Sequence, residues 1–157
     1  MKLTSILSIC SIAGFAVASK CKAPPCGRVE NNTRWRAKWG DFDPSGTDLC
    51  HIYNWNGGDG SIGWKEKKMV PCKQTYVSAH ASVGGYTHDK IDVDGITFDD
   101  RRWRIVWEKG QSYDFAAGVW AKIGSGETIV CSENVQVPEC HVKCSSDLGP
   151  LDACIGA

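Results

Sequence analysis

Beyond its first eighteen residues the chain has no long apolar run. Charges and glycines interrupt every later hydrophobic stretch, so none is fitted to cross a bilayer, which takes about 20 consecutive apolar residues. Net charge is missing too: 18 Lys and Arg offset 18 Asp and Glu over 157 residues. That balance argues against nucleic acid as a partner and against a polybasic membrane patch. No segment shows sustained 3.6-residue periodicity, which speaks against a helical bundle. Catalytic signatures are absent as well: there is no G-x-S-x-G, no H-E-x-x-H and no H-x-E followed by C-x-x-C. The four histidines, His51, His80, His88 and His141, stand in no nucleophile–base context. Carboxylate pairs do occur (Asp41/Asp43, Asp92/Asp94, Asp99/Asp100). A glycosidase-like use would need two of them about 5–9 Å apart across a cleft, whereas acids in turns are ordinarily turn formers. No catalytic residue, no metal site and no cofactor is therefore expected.

What is present begins with the N-terminus. Lys2 precedes an apolar stretch, Leu3 to Val17, that ends in the small-x-small pattern Ala16-Val17-Ala18. This is the layout of a secretory signal cleaved after Ala18. The expected mature chain is a single domain, 19–157, with no membrane anchor. Losing Lys2 leaves 17 basic against 18 acidic residues.

Of nine cysteines, Cys10 would leave with the signal. Eight remain: Cys21, Cys26, Cys50, Cys72, Cys131, Cys140, Cys144 and Cys154. An even count in a secreted chain of this size implies four disulfides, whose pairing the sequence does not choose. Cys140-x-x-x-Cys144 with His141 lacks the second ligand pair of a zinc site.

The body reads as β structure. Thr33 to Trp39 alternates, with Trp35, Ala37 and Trp39 on one face and Arg34, Arg36 and Lys38 on the other. Further strands are expected over 49–55, 61–70, 75–83, 102–108, 113–123 and 127–137, and 90–100 reads as strand, Asp94-Gly95 turn, strand. Turn signals such as Asn56-Gly57-Gly58-Asp59-Gly60, Gly84-Gly85, Asp94-Gly95 and Gly124-Ser125-Gly126 separate them. About eight short strands with this spacing indicate an all-β fold, an antiparallel β-sandwich or barrel stapled by disulfides. Residues 19–33 read as an irregular arm. The tail from Pro138 lacks strand character, and the Cys140/Cys144 spacing allows a short C-terminal helix there. Arg34–Trp39 matches Arg102–Trp107 at four of six positions, best read as two core strands that each place Trp inward.

Three local features bear on function. Asp41 to Asp48 spaces oxygens like the start of a calcium loop, but Ile52 stands where the closing acid belongs, so a structural turn is expected. Asn31-Asn32-Thr33 is a glycosylation sequon with Asn31 as acceptor. Seven tryptophans (35, 39, 55, 64, 103, 107 and 120) exceed what a core of this size needs. Trp55 and Trp64 flank the glycine-rich turn, and Lys65, Lys67 and Lys68 adjoin them. Trp55, Trp64, Lys65 and Lys67 are the expected binding residues, suited to a protein partner or to stacking on sugar rings.

The short Lys-led signal, the eight mature cysteines, the β-rich body and the missing catalytic motifs together resemble the small secreted cysteine-rich proteins of filamentous fungi. Many of those act as effectors toward a plant host. Trp35-Arg36-Ala37-Lys38 resembles a Trp-Arg-aromatic-basic motif of one family of avirulence effectors, departing at Ala37. The α+β fold which that family implies needs more helix-forming segments than the sequence shows, so no residue role is carried over. The class resemblance implies a monomeric extracellular protein, open to uptake into host cells, that binds a host protein and alters immunity. A cell-wall glycan is the alternative partner, and a small hydrolase or toxin a more distant one.

Overall fold

The computed structural model describes residues 26–55, 66–86, 89–107 and 110–144. The expected signal, residues 1–18, lies outside them. Eleven strands and no helix are found among the described residues. They are β1 (Arg28–Asn31), β2 (Ala37–Asp41), β3 (Asp48–Trp55), β4 (Glu66–Val77), β5 (Ala81–Gly84), β6 (Gly95–Thr97), β7 (Trp103–Val106), β8 (Ser112–Phe115), β9 (Val119–Lys122), β10 (Glu127–Asn134) and β11 (Val137–Cys144). Five strands close a barrel in the order β2-β4-β3-β9-β6, and six form a sheet in the order β5-β1-β10-β11-β7-β8. The all-β, disulfide-stapled architecture is as the sequence implies.

Details differ for identifiable reasons. Neighbours in sequence (β3/β4, β7/β8, β10/β11) pair antiparallel, as short connections require. Three ladders are parallel: β1/β10, β7/β11 and β3/β9. These join strands far apart in the chain, and no turn signal announces such a partner. β4 stays a strand through Pro71 by changing partners, pairing β3 over 66–72 and β2 over 73–77. Part of the supposed arm, Arg28–Asn31, is β1. Val137–Cys144 is strand rather than tail: Cys140 and Cys144 sit in β11, so their spacing forms no helical turn, and 145–157 lie outside the described residues. The β10–β11 register places Cys131 opposite Cys140, and strand pairing there overrides the local helical spacing.

The main core lies between barrel and sheet. Trp39, Ile96 and Ala121 enter it from the barrel, and Val29, Trp103, Ile105, Phe115, Ile129 and Val142 from the sheet. Alternation along β7 explains the sheet side, since Trp103 and Ile105 are fully buried while Arg104 and Val106 are not. The repeated Trp/Arg stretch is thus resolved: Trp39 and Trp103 belong to opposing layers of one core. A smaller cluster gathers Cys50, Ile52, Val70, Cys72 and Trp120, with Phe42 against it. The indole of Trp120 meets the Phe42 ring edge-on, centroids 6.0 Å apart. The paired glycines Gly40 and Gly95 make room for these rings. A Cβ on Gly40 would stand 3.0 Å from the Trp120 ring, and one on Gly95 would stand 2.6 Å from both the Ala121 carbonyl oxygen and the Phe42 ring.

Two disulfides brace these layers. Cys50–Cys72 ties β3 to β4, and Cys131–Cys140 joins β10 to β11. Cys26 is also disulfide-bonded. Cys21, Cys154 and the side chain of Cys144 lie outside the description. Each bridge typically stabilises by about 2–4 kcal/mol.

Residues 92–94 bind sheet to barrel. The Gly27 amide donates to Asp92 Oδ1 at 2.8 Å, and the Val93 amide donates to the Gly27 carbonyl. Asp94 then takes over on the barrel side. Its amide donates to the Gly40 carbonyl, its carbonyl accepts from the Ile123 amide, and its Oδ2 accepts from the Phe42 amide at 2.7 Å.

The sequon reading is corrected. Asn31 is fully buried at the end of β1. Its amide nitrogen donates to the carbonyls of Trp35 (2.7 Å) and Ser78 (3.0 Å), and its Oδ1 accepts from the Thr33 amide and hydroxyl. Both amide hydrogens are used, so no glycan fits there. Asn-x-Thr here is a buried turn, the same short polar side chains serving the backbone rather than solvent.

Candidate functional site

Of the four residues expected to bind, the structure places the side chain of only one. Lys67 is exposed on β4, its ammonium 5.3 Å from the Tyr53 ring centroid. Trp55 ends β3 with its side chain outside the description, and Trp64 and Lys65 lie outside the described residues. Among the other tryptophans, Trp39, Trp103 and Trp120 are buried, while Trp35 and Trp107 are half-buried against the main core.

The carboxylate pairs do different things. Asp43 shapes its turn. Its carboxylate accepts from the Lys73 ammonium, the Ser45 amide and the Ser45 hydroxyl, all at 2.8 Å. Those contacts, Lys73 first, hold it down to about 2. The segment that resembled a calcium loop is thus a turn whose first oxygens are already used. Asp94 goes the other way. Burial beside Asp92 and Asp41 pushes it up to about 7, against the Phe42 amide and Lys122, which favour the charged form. Among the described residues, no three His, Cys, Asp or Glu side chains are arranged to hold a metal ion.

A contiguous surface emerges instead from Arg34-Trp35-Arg36, β2, β4 and the β6–β7 turn. Trp35 rests one side on the core. The guanidiniums of Arg34 and Arg101 both lie against its ring, each Cζ 4.6 Å from the centroid. The strand register sets Lys38 of β2 opposite Tyr76 of β4. Tyr76 is 43% exposed. The Arg36 guanidinium covers its ring at 4.1 Å, and the Lys38 ammonium lies 5.1 Å from it. The Tyr76 hydroxyl donates to Asp99 Oδ2 at 2.8 Å, and Lys38 pairs with the same oxygen at 3.2 Å. Burial opposes the charge on Asp99, but these two hydrogen bonds win and lower its pKa. Asp100 holds Arg101 with two bonds, 2.9 and 2.7 Å. Glu133 accepts from the Arg34 amide at 2.9 Å and stands 3.7 Å from its guanidinium.

Each exposed cation–π contact is worth only about 0.5–1 kcal/mol and each surface ion pair less than about 1. Their effect is chiefly geometric: the cationic ends of long side chains are held over rings. Arg36 differs from its neighbours. It is exposed and, among the described residues, has no carboxylate within ion-pair distance, although the Asp100 charge acts on it at longer range. Its guanidinium lies over the Tyr76 ring and is open to solvent.

The sequence showed Arg34, Arg36 and Lys38 on one solvent face. It did not show Tyr76 or Arg101, which come from other segments. The Tyr76–Lys38 register is set by the barrel, and nothing local encodes it. No family model, curated protein or solved structure matches the chain.

Proposed function

We propose that this is a secreted, disulfide-braced binding protein of the effector type, acting outside the producing cell on a host protein. The observation that carries the reading is the surface built from Arg34, Trp35, Arg36, Tyr76 and Arg101. Trp, Tyr and Arg are the residues that dominate protein–protein hot spots, and here cation–π contacts bias their conformations before any partner arrives, which lowers the entropy lost on binding. The disulfides Cys50–Cys72 and Cys131–Cys140 are compatible with an extracellular compartment. The signal-like N-terminus and the class resemblance support secretion and a host target.

The test is site-specific photocrosslinking. A photoreactive phenylalanine at position 76 in the oxidised mature chain is irradiated in plant extracellular fluid. A discrete protein adduct that disappears when Arg34 and Arg36 are both changed to Gln supports the reading. No adduct, or one indifferent to those changes, overturns it. So would saturable retention on a cell-wall polysaccharide that depends on Trp55 or Trp64 alone, which would establish glycan binding, or hydrolytic turnover by the purified protein.

A further inference from the structure

We infer that the partner face matching this surface is acidic: a protein segment that lays an Asp or Glu carboxylate on the Arg36 guanidinium, over the Tyr76 ring. The inference rests on the binding role proposed above and names the chemistry of its partner.

Charge complementarity carries it. Four cations, Arg34, Arg36, Lys38 and Arg101, gather around two rings. The acids of the surface are already engaged: Asp99 with Lys38 and Tyr76, Asp100 with Arg101, and Glu133 with Arg34. Arg36 alone of the four has no carboxylate at ion-pair distance among the described residues. A guanidinium is planar, and its fork matches a carboxylate in two parallel bonds. Its Cζ lies 4.1 Å from the Tyr76 ring centroid and the side chain is exposed, so the guanidinium is held over the ring and open to a carboxylate from solvent. Asp99, Asp100 and Glu133 already neutralise Lys38, Arg101 and Arg34, so the surface carries one uncompensated positive charge, at Arg36, and a carboxylate completes that position.

Asp99 is the second structural element of this device. It holds the Tyr76 hydroxyl and the Lys38 ammonium through one oxygen, Oδ2. Its other oxygen, Oδ1, is buried with no hydrogen-bond partner among the described residues. The ring under Arg36 is therefore anchored at its far end, and the stack does not depend on the guanidinium alone.

The test uses the full oxidised mature chain and two synthetic probes of equal length, one a Glu/Tyr peptide and one a Lys/Tyr peptide, with binding followed by fluorescence anisotropy. The Glu/Tyr peptide is expected to bind saturably and to weaken as salt is raised, because the contact is solvent-exposed. Arg36→Gln should lower its affinity about ten- to hundredfold, the range for losing a charge-assisted bidentate contact. Arg36→Lys should restore only part of it, since an ammonium neither stacks flat nor forks. Tyr76→Phe, which keeps the ring but frees it from Asp99, should weaken binding only in part, and Tyr76→Leu should abolish it. Unaltered thermal unfolding of the Arg36 variants excludes a folding artefact. Binding that needs Arg36 and Tyr76 but is equal for both peptides would overturn the acidic partner and leave the binding role standing. Peptide binding indifferent to both residues, or none at all, would overturn both.

Discussion

Asp94 makes the joint between barrel and sheet sensitive to pH, and the change that exposes this is Asp94→Asn. The folded chain holds this carboxyl at about 7 against an ordinary 3.8, chiefly because burial disfavours its charge, with Asp92 and Asp41 adding repulsion. The folded state therefore keeps a proton that the unfolded chain gives up. Stability from this group is complete below about pH 4, falls as pH rises toward about 7, and is flat beyond. At about 1.4 kcal/mol per tenfold change in proton affinity, ionisation costs the fold on the order of 4 kcal/mol. Asparagine removes that charge and retains a carbonyl oxygen for the Phe42 amide, which Asp94 Oδ2 accepts at 2.7 Å. Its amide must still fit beside Asp41, Asp92 and Lys122, so the expected gain above pH 7 is smaller, about 2–3 kcal/mol. At about pH 4 the two proteins should be nearly equal in stability. Other acids act in a lower window. Asp43, held at about 2, adds stability that is lost as pH falls below about 4, so the wild-type curve should peak near pH 4. The assay is urea unfolding of the oxidised chain across this range, comparing midpoints and slopes. Wild-type stability that is flat or rising between about pH 4 and 8, or an Asp94→Asn curve with the wild-type slope, would refute the argument.

Asn31 should carry no glycan in the secreted protein, read by mass spectrometry of its peptide, and Asn31→Ala should cost about 2–4 kcal/mol because it removes the side-chain partners of the Ser78 carbonyl and the Thr33 amide. Val135 has a φ of 49° at the tip of the β10–β11 hairpin and is 92% exposed. Val135→Gly should therefore stabilise, by about 1 kcal/mol in the urea midpoint, since a β-branched residue is strained there and glycine is not. Gly95→Ala should destabilise by about 1–3 kcal/mol, because its Cβ would stand 2.6 Å from the Ala121 carbonyl oxygen, a backbone atom that cannot easily give way; a melting temperature equal to wild type would contradict that packing.

What the sequence made legible was whatever depended on the chain near at hand. Trp103-Arg104-Ile105-Val106 alternates, and β7 lies there with the expected face inward. Asp43-Pro44-Ser45-Gly46 has turn chemistry, and a turn is what it forms. The failures share a cause, which is that each depended on a distant partner. Asn31-Asn32-Thr33 is the same string whether it faces solvent or is closed over by Ser78 from the end of β4. Cys140 and Cys144 have helical spacing, but Cys140 faces Cys131 across β10 and Glu139–His141 lie along β7, and two ladders outweigh one local turn. The candidate surface is a case of the same kind. Arg36 is legible as a solvent-facing arginine, and so read it is a solubilising charge. What distinguishes it is Tyr76 beneath it, from a strand forty residues on, and Asp99 behind that ring, from a turn further still. Tyr76 is unremarked in its own segment, and Asp99 stands out there only as half of a carboxylate pair. The barrel closure that sets β2 beside β4 and β6 turns three ordinary positions into one oriented guanidinium. A search for function in this chain therefore belongs where strands from separate segments are brought into register, and Arg36 on Tyr76 is where that register leaves a charge facing outward.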